Sequence, residues 1–342
     1  MADMVDSEKT WPEEEKNQSG YPGNLSTVWR NFSLLGLGIF VMLLSGQLLG
    51  GGAVMLAERF FPGWLEGDWG MWLVSYIPLY GIALPLGLLL FRKVPAVAPA
   101  SGSWSRNQLL MLIPVCFCMM YAGNFAGIIL TGLLQLIPGV TAMNPVLDIT
   151  TGTALLPRLL VVSIAAPLIE EYIFRKQLID RMQLYGQKTA VVVSAVMFGL
   201  FHGNLSQFFY ATLLGLVFGY SYIKTGKLRY NIALHILINF LGGVVAPWFL
   251  EHLPLSPEAM ADPEALVAAL PWLLGFTLYA LFLVGMSLAG LVLLCAKRRE
   301  ITFARSPLEL PREVRFRTVW CNAGAILAVV GCLAMIGLSL FS

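Results

Sequence analysis

The chain has 342 residues, of which 57% are hydrophobic and 12% charged, with a formal net charge of +2. Soluble domains carry about 25% charged residues, so this composition cannot supply a water-facing surface around a packed core. The charge is too close to neutral to select a partner. The basic residues are scattered over many short segments rather than one stripe, which argues against nucleic-acid binding.

In chain order, the first 28 residues are polar, acidic and rich in Gly, Pro, Ser and Asn. They read as a disordered tail, without the short basic start and apolar run of a signal peptide. Long apolar stretches follow. Residues 32–57, 108–137, 271–296 and 318–341 contain no Asp, Glu, Lys, Arg or His, and each reaches the roughly 20 residues that a helix needs to cross hydrocarbon. The full pattern predicts an all-α, polytopic membrane protein with nine spans, near 30–57, 71–91, 108–137, 155–175, 188–206, 207–223, 229–250, 271–296 and 318–341. The first span carries no evident cleavage signal and is expected to remain.

Lys and Arg collect in cytoplasmic loops, which tests this order independently. They cluster in 92–107, 175–188, 224–229 and 297–317, whereas 138–154 contains only Arg-free, Lys-free sequence, as does 251–270. With Lys9, Lys16 and Arg30 inside, only Arg59 and Arg158 dissent. The expected topology has a cytoplasmic N-terminus. Trp29, Trp69, Trp72, Trp104, Trp272 and Trp320 fall near span ends, where amphipathic rings anchor at the interface. The five cysteines sit in or beside apolar spans with no zinc-ribbon spacing, and are expected to pack as small apolar residues.

Ionisable groups inside hydrocarbon cost about 2.5–3.5 kcal/mol on insertion scales and mark function. The spans contain two acids, Glu170 and Glu171, and two of the chain's three histidines, His202 and His235. On a helix, residues four apart share a face and adjacent ones diverge by about 100°. Arg175 can therefore neutralise Glu171, leaving Glu170 on a different face. His235 and Asn239 project together, and Phe198 and His202 repeat that spacing. A carboxylate in apolar surroundings becomes a competent general base. An imidazole can hold water, while a second imidazole and an amide can stabilise an oxyanion. Neither HExxH nor GxSxG occurs, which argues against the common zinc-peptidase and serine-hydrolase solutions.

These residues also carry a resemblance. Glu170-Glu171-Tyr-Ile-Phe-Arg175 fits EExxxR, Phe198-Gly-Leu-Phe-His202 fits FxxxH, and His235-Ile-Leu-Ile-Asn239 fits HxxxN. In that order they resemble the CPBP family, the CAAX prenyl endopeptidase and bacteriocin-processing group of intramembrane glutamic peptidases. The resemblance covers roughly 105–250. It implies that Glu170 activates water with help from His202, that His235 and Asn239 form the oxyanion site, and that Glu171, Arg175 and Phe198 support them, with neither cofactor nor metal. The division expected is a tail over 1–28, N-terminal membrane helices over 29–104, a catalytic core over 105–250, an outer loop over 251–270 and C-terminal helices over 271–342. The implied partners are a membrane-associated peptide or protein substrate and the lipid bilayer, in the plasma membrane of a bacterium.

Three alternatives stand beside this reading. One is a binding or immunity protein of the same fold that does not cleave. Another is a proton-coupled transporter, against which no inverted repeat is visible. The third keeps the site but places zinc on Glu170, His202 and His235. Depth poses a separate puzzle. At about 1.5 Å per residue, Glu170 lies about 7 Å inward of Arg175 and His235 about 9 Å inward of Arg229, but His202 lies about 21 Å from Lys188. The fifth span is therefore expected to begin in the cytoplasm or to tilt strongly.

Overall fold

A computed structural model describes residues 23–141 and 154–341. Most of the expected tail and most of the 138–154 loop lie outside the described residues. Within them every regular element is helical, as an apolar medium requires of a chain that must satisfy its own backbone.

Helix α1 spans Leu25–Phe60 and starts inside the stretch expected as tail, because the Asn24 side chain accepts from the backbone of Ser26 and Thr27 and so caps the first turn. Next come α2, Gly70–Phe91, and α3, Arg106–Leu134, which opens on a capping box formed by Ser105 and Gln108. Helix α4 covers 155–182. Then follow α5, Gln187–Phe201, α6, Leu205–Thr225, and α7, Leu228–Leu250. The expected outer loop contains a short helix, Pro257–Ala261, and the first turns of α8, Pro263–Lys297. Finally α9, Arg312–Trp320, and α10, Ala323–Ser339, meet at a bend of 61°.

Each of the nine expected spans coincides with helix, but length and apolarity single out fewer. Five helices (α1, α2, α3, α7 and the one beginning at Pro263) are long and apolar enough to cross a membrane, and six if the bent pair α9–α10 is one span. The difference lies in the middle of the chain. Helix α5 has 15 residues, a rise of about 22 Å against a hydrocarbon thickness of about 30 Å. The helix simply stops at His202, where Gly203 turns the chain with φ +66°, a left-handed conformation that favours glycine. Asn204 then caps α6 by accepting from the Gln207 backbone at 2.9 Å.

Three helices widen into π turns, at Ile77–Ala83, Arg158–Ala165 and Leu241–Val245. Each widening ends two residues before a proline, Pro85, Pro167 or Pro247. A proline has no N–H for the carbonyl four residues earlier and collides with it, and the wider turn relieves that conflict. A fourth π turn, Tyr172–Ile179, has no such proline and directly follows the paired acids.

Helix α6 packs between α5 and α3, α8 lies on α3, and α1 packs on α2 and α10. Close approach depends on small residues. A Cβ on Gly215 would stand 2.9 Å from the Ala195 backbone, and one on Gly219 3.0 Å from Val191. The basic loops meet at one end of this bundle. Val97 N–H donates to the Asp180 carbonyl at 2.7 Å, Gly102 to Thr225 at 3.2 Å, and Leu310 to Tyr185 at 3.1 Å. The Ser306 hydroxyl donates to the Gln183 carbonyl at 2.6 Å. Asn31, near the start of α1, donates to the Tyr185 hydroxyl at 2.9 Å, which brings the N-terminal end of α1 to the same pole. Arg158, one of the two dissenting basic residues, is buried and pairs with Glu251 at 2.7 Å, tying the start of α4 to the end of α7. Trp72, near the start of α2, is 3% exposed and packs against Tyr76.

Candidate active site

The site forms where α4, α5 and α7 converge. Glu170 and Glu171 follow Pro167 near the middle of α4 and, being adjacent, point apart as helical geometry requires. Glu171 and Arg175 are both fully buried, with Oε2 and Nε 3.1 Å apart. The pair is an ion-pair contact rather than an aligned hydrogen bond, since neither atom finds a hydrogen-bond partner. The other Glu171 oxygen, Oε1, lies 3.1 Å from His235 Nδ1. Glu170 has no such tether. Its side chain retains 18% exposure, and its Oε2 lies 3.6 Å from His235 Nε2. The imidazole of His235 thus stands between the two acids, with one ring nitrogen facing each.

His202 takes its orientation from its own helix. Its Nδ1 lies 2.7 Å from the Phe198 carbonyl. A carbonyl only accepts, so Nδ1 carries the proton and the neutral ring keeps its Nε2 lone pair free to accept. The Phe198 ring is a hub. Its centroid lies 4.9 Å from that of His202 and 5.7 Å from that of His235, both edge-on. The Arg175 guanidinium stacks over the same ring at 4.6 Å and over Phe218 at 5.5 Å. One aromatic side chain therefore sets the spacing of both imidazoles and the buried cation.

Asn239 sits one turn beyond His235 and donates to the Val162 carbonyl at 2.9 Å. This carbonyl lies in the π turn Arg158–Ala165, where widening alters the usual intrahelical pairing. Asn239 spends one N–H there, which leaves its second N–H and its carbonyl for other partners. The structure thus brings Glu170, Glu171, Arg175, Phe198, His202 and His235 into one cluster, while Asn239 joins it along α7 rather than by a direct contact. Among the described residues, no group of three His, Cys, Asp or Glu side chains is arranged to hold a metal ion.

Several partners escaped the sequence reading. Asn231, four residues before His235, donates to the Phe218 carbonyl at 2.7 Å, and the same i, i+4 spacing could have revealed it. Ser194, four residues before Phe198, lies 3.5 Å from Arg175 and donates to the Phe174 carbonyl. Phe218, whose ring lies 5.3 Å from His235, and Val162 left no signal in the sequence.

Comparison with known proteins places the segment that carries this cluster beside membrane peptidases. A Bacillus subtilis (strain 168) protein named "Putative membrane peptidase YdiL" is 27% identical over 177 residues, covering 50% of this chain and 69% of that protein. No solved structure matches. Residues 152–241, which contain Glu170, Glu171, Arg175, Phe198, His202, His235 and Asn239, match the family described as type II CAAX prenyl endopeptidase Rce1-like.

Proposed function

We propose that this protein is an intramembrane endopeptidase that cleaves a peptide bond of a membrane-associated protein or peptide with water activated by Glu170. The matched family and the Bacillus subtilis relative support a membrane peptidase. The unequal treatment of two adjacent acids carries the finer assignment. Glu171 is held by Arg175 and by His235 Nδ1, whereas Glu170 keeps partial exposure and, among the described residues, makes a single ion-pair contact, with His235 Nε2 at 3.6 Å. Glu171 is thereby a fixed counter-ion, and Glu170 is the acid able to exchange a proton.

The chemistry follows from the positions. Water held between Glu170 and the free Nε2 of His202 gives its proton to Glu170, and the hydroxide adds to the scissile carbonyl carbon. The developing oxyanion accepts hydrogen bonds from Asn239 and from a protonated His235, whose Nδ1–H is anchored on Glu171. Such preorganised donors are commonly the largest catalytic contribution. With His235 protonated, the two carboxylates, the guanidinium and the imidazolium sum to zero, which suits a low-dielectric interior. Glu170 then returns its proton to the departing amine, releasing a new carboxylate and a new amine.

The test is Glu170→Gln, which keeps size and polarity but cannot take the proton. Peptides in membrane and secreted fractions, compared by mass spectrometry, should show loss of a defined set of cleavage products with unchanged protein yield. Full cellular activity in the Glu170→Gln strain would sink the peptidase reading in favour of a non-catalytic binding or immunity protein.

A further inference from the structure

Helix α2 lies outside the segment matched to the family, yet it borders the site. Trp72, Tyr76 and Tyr80 follow one another at i, i+4 on one face, with ring centroids 5.7 Å apart for the first pair and 5.3 Å for the second. The ladder lines a groove of about 390 Å³, shared with Leu73, Ile77 and Val161. Val161 belongs to α4 and precedes Val162, whose carbonyl receives Asn239. The groove therefore runs beside the stretch of backbone that anchors the proposed oxyanion donor.

The two tyrosine hydroxyls are the unusual part of this wall. Buried tyrosines ordinarily place their hydroxyls on a partner. Those of Tyr210 and Tyr222 do so, on Gln207 and Asp180 at 2.9 Å each. Tyr76 and Tyr80 are half-buried, and among the described residues neither hydroxyl has a hydrogen-bond partner. Both lie within electrostatic reach of the Glu170 carboxylate. Nothing in the packing of α2 requires hydroxyls there, since phenylalanine would fill the same volume.

We propose that Tyr76 and Tyr80 are substrate-positioning residues: their hydroxyls donate hydrogen bonds to backbone carbonyls of an extended peptide beside the scissile bond, while the groove along Trp72 and Val161 takes an apolar side chain of that peptide. This rests on the peptidase reading for its consequence but not for its binding geometry. An extended peptide running past Glu170 points every second carbonyl the same way, about 6.6 Å apart, and two hydroxyls one helical turn, about 5.4 Å, apart can hold two of them. The apolar walls then favour an aliphatic or aromatic side chain over a charged one, whose desolvation would find no compensating partner.

The test uses the full chain in lipid nanodiscs with a synthetic library of quenched-fluorescent peptides that carry a photoactivatable group. Tyr76→Phe/Tyr80→Phe keeps the rings and removes both hydroxyls. It should raise KM about 10-fold, the combined loss of two neutral hydrogen bonds, with kcat changed less than about 3-fold and the thermal midpoint unchanged. Trp72→Ala should shift the preferred side chain toward larger residues. Photo-adducts in a Glu170→Gln background should map to 72–81 of α2. Cleavage by wild type with unaltered kinetics in the double Phe variant and no adducts on α2 would overturn this inference and leave the peptidase reading standing. Adducts on α2 without cleavage by wild type would support the groove and overturn the peptidase reading. Neither adducts nor cleavage would overturn both.

Discussion

The guanidinium carbon of Arg175 stands 4.6 Å above the centre of the Phe198 ring, while the edge of the same residue's contacts extends to both imidazoles, His202 at 4.9 Å and His235 at 5.7 Å between ring centroids. A fully buried cation needs more than its single carboxylate partner, and the ring face supplies part of that compensation. Phe198 thereby couples the ion pair on α4 to the histidines on α5 and α7.

Phe198→Leu removes the ring but retains an apolar side chain. It should destabilise the protein by about 1–2 kcal/mol, the range of a desolvated cation–π contact, and reduce cleavage well beyond the change in stability, because both imidazoles lose their spacer. Thermal unfolding in detergent, read beside turnover of a cleaved library peptide, separates the two effects. Normal turnover in a destabilised Phe198→Leu protein would show that the ring supports the fold and not the geometry of the histidines.

Glu171→Gln leaves Arg175 charged and buried without its counter-ion. Breaking a buried pair from one side costs about 3–5 kcal/mol, so yield and thermal midpoint should fall. Glu171→Leu/Arg175→Met should recover stability, since an apolar pair of similar volume is tolerated, but activity should stay low because His235 Nδ1 has lost the acceptor at 3.1 Å. Recovery of both properties in the double variant would count against Glu171 as the anchor of His235.

Much of this site was legible because intramembrane polarity is rare. Two acids and two histidines stood out against apolar helices, and the spacing of Glu171 with Arg175 anticipated an ion pair that the structure places at 3.1 Å. The paired role of His235 was not legible. Its spacing with Asn239 suggested two donors acting side by side, but tertiary contacts set the ring between Glu170 and Glu171 and direct Asn239 to Val162. The π turns were also missed, although Pro85, Pro167 and Pro247 mark them, because a helical pattern read at 3.6 residues per turn runs straight through an internal proline. Helix α5 was expected as a span because its composition is apolar, although the polar residues Gly203, Asn204 and Ser206 marked it as one that could end short, and the turn at Gly203 places that end.

The meeting of the basic loops at one pole predicts topology. Glu258 lies in the short helix Pro257–Ala261, just before α8, and Lys297 lies at the far end of α8, whose 35 residues span about 52 Å. In a background with the exposed Cys295 and Cys321 replaced by Ser, Glu258→Cys should react with a membrane-impermeant maleimide in intact cells. Lys297→Cys should react only after the membrane is opened. Reaction of both from the same side would refute the alternating arrangement with a cytoplasmic N-terminus.

Asn239 separates the two mechanisms that fit the same location. If it donates to the oxyanion, Asn239→Ala should lower kcat by roughly 10²–10³, the usual loss for one such donor, with a much smaller effect on KM. The variant also loses the hydrogen bond to Val162, worth about 1 kcal/mol, so its thermal midpoint must be measured to show that the fall in kcat exceeds any loss of folded protein. In the metal-free mechanism, wild type should keep cleaving after exhaustive chelation, since Glu170 and His202 prepare the water by themselves. Under zinc-assisted attack, chelation would abolish cleavage, one equivalent of zinc would restore it, and Asn239, a poor zinc ligand, would matter far less than His202 and His235. Stoichiometric zinc in an active preparation, together with an Asn239→Ala variant of normal kcat, would reassign Glu170, His202 and His235 from proton transfer and oxyanion binding to metal ligation at the same place in the fold.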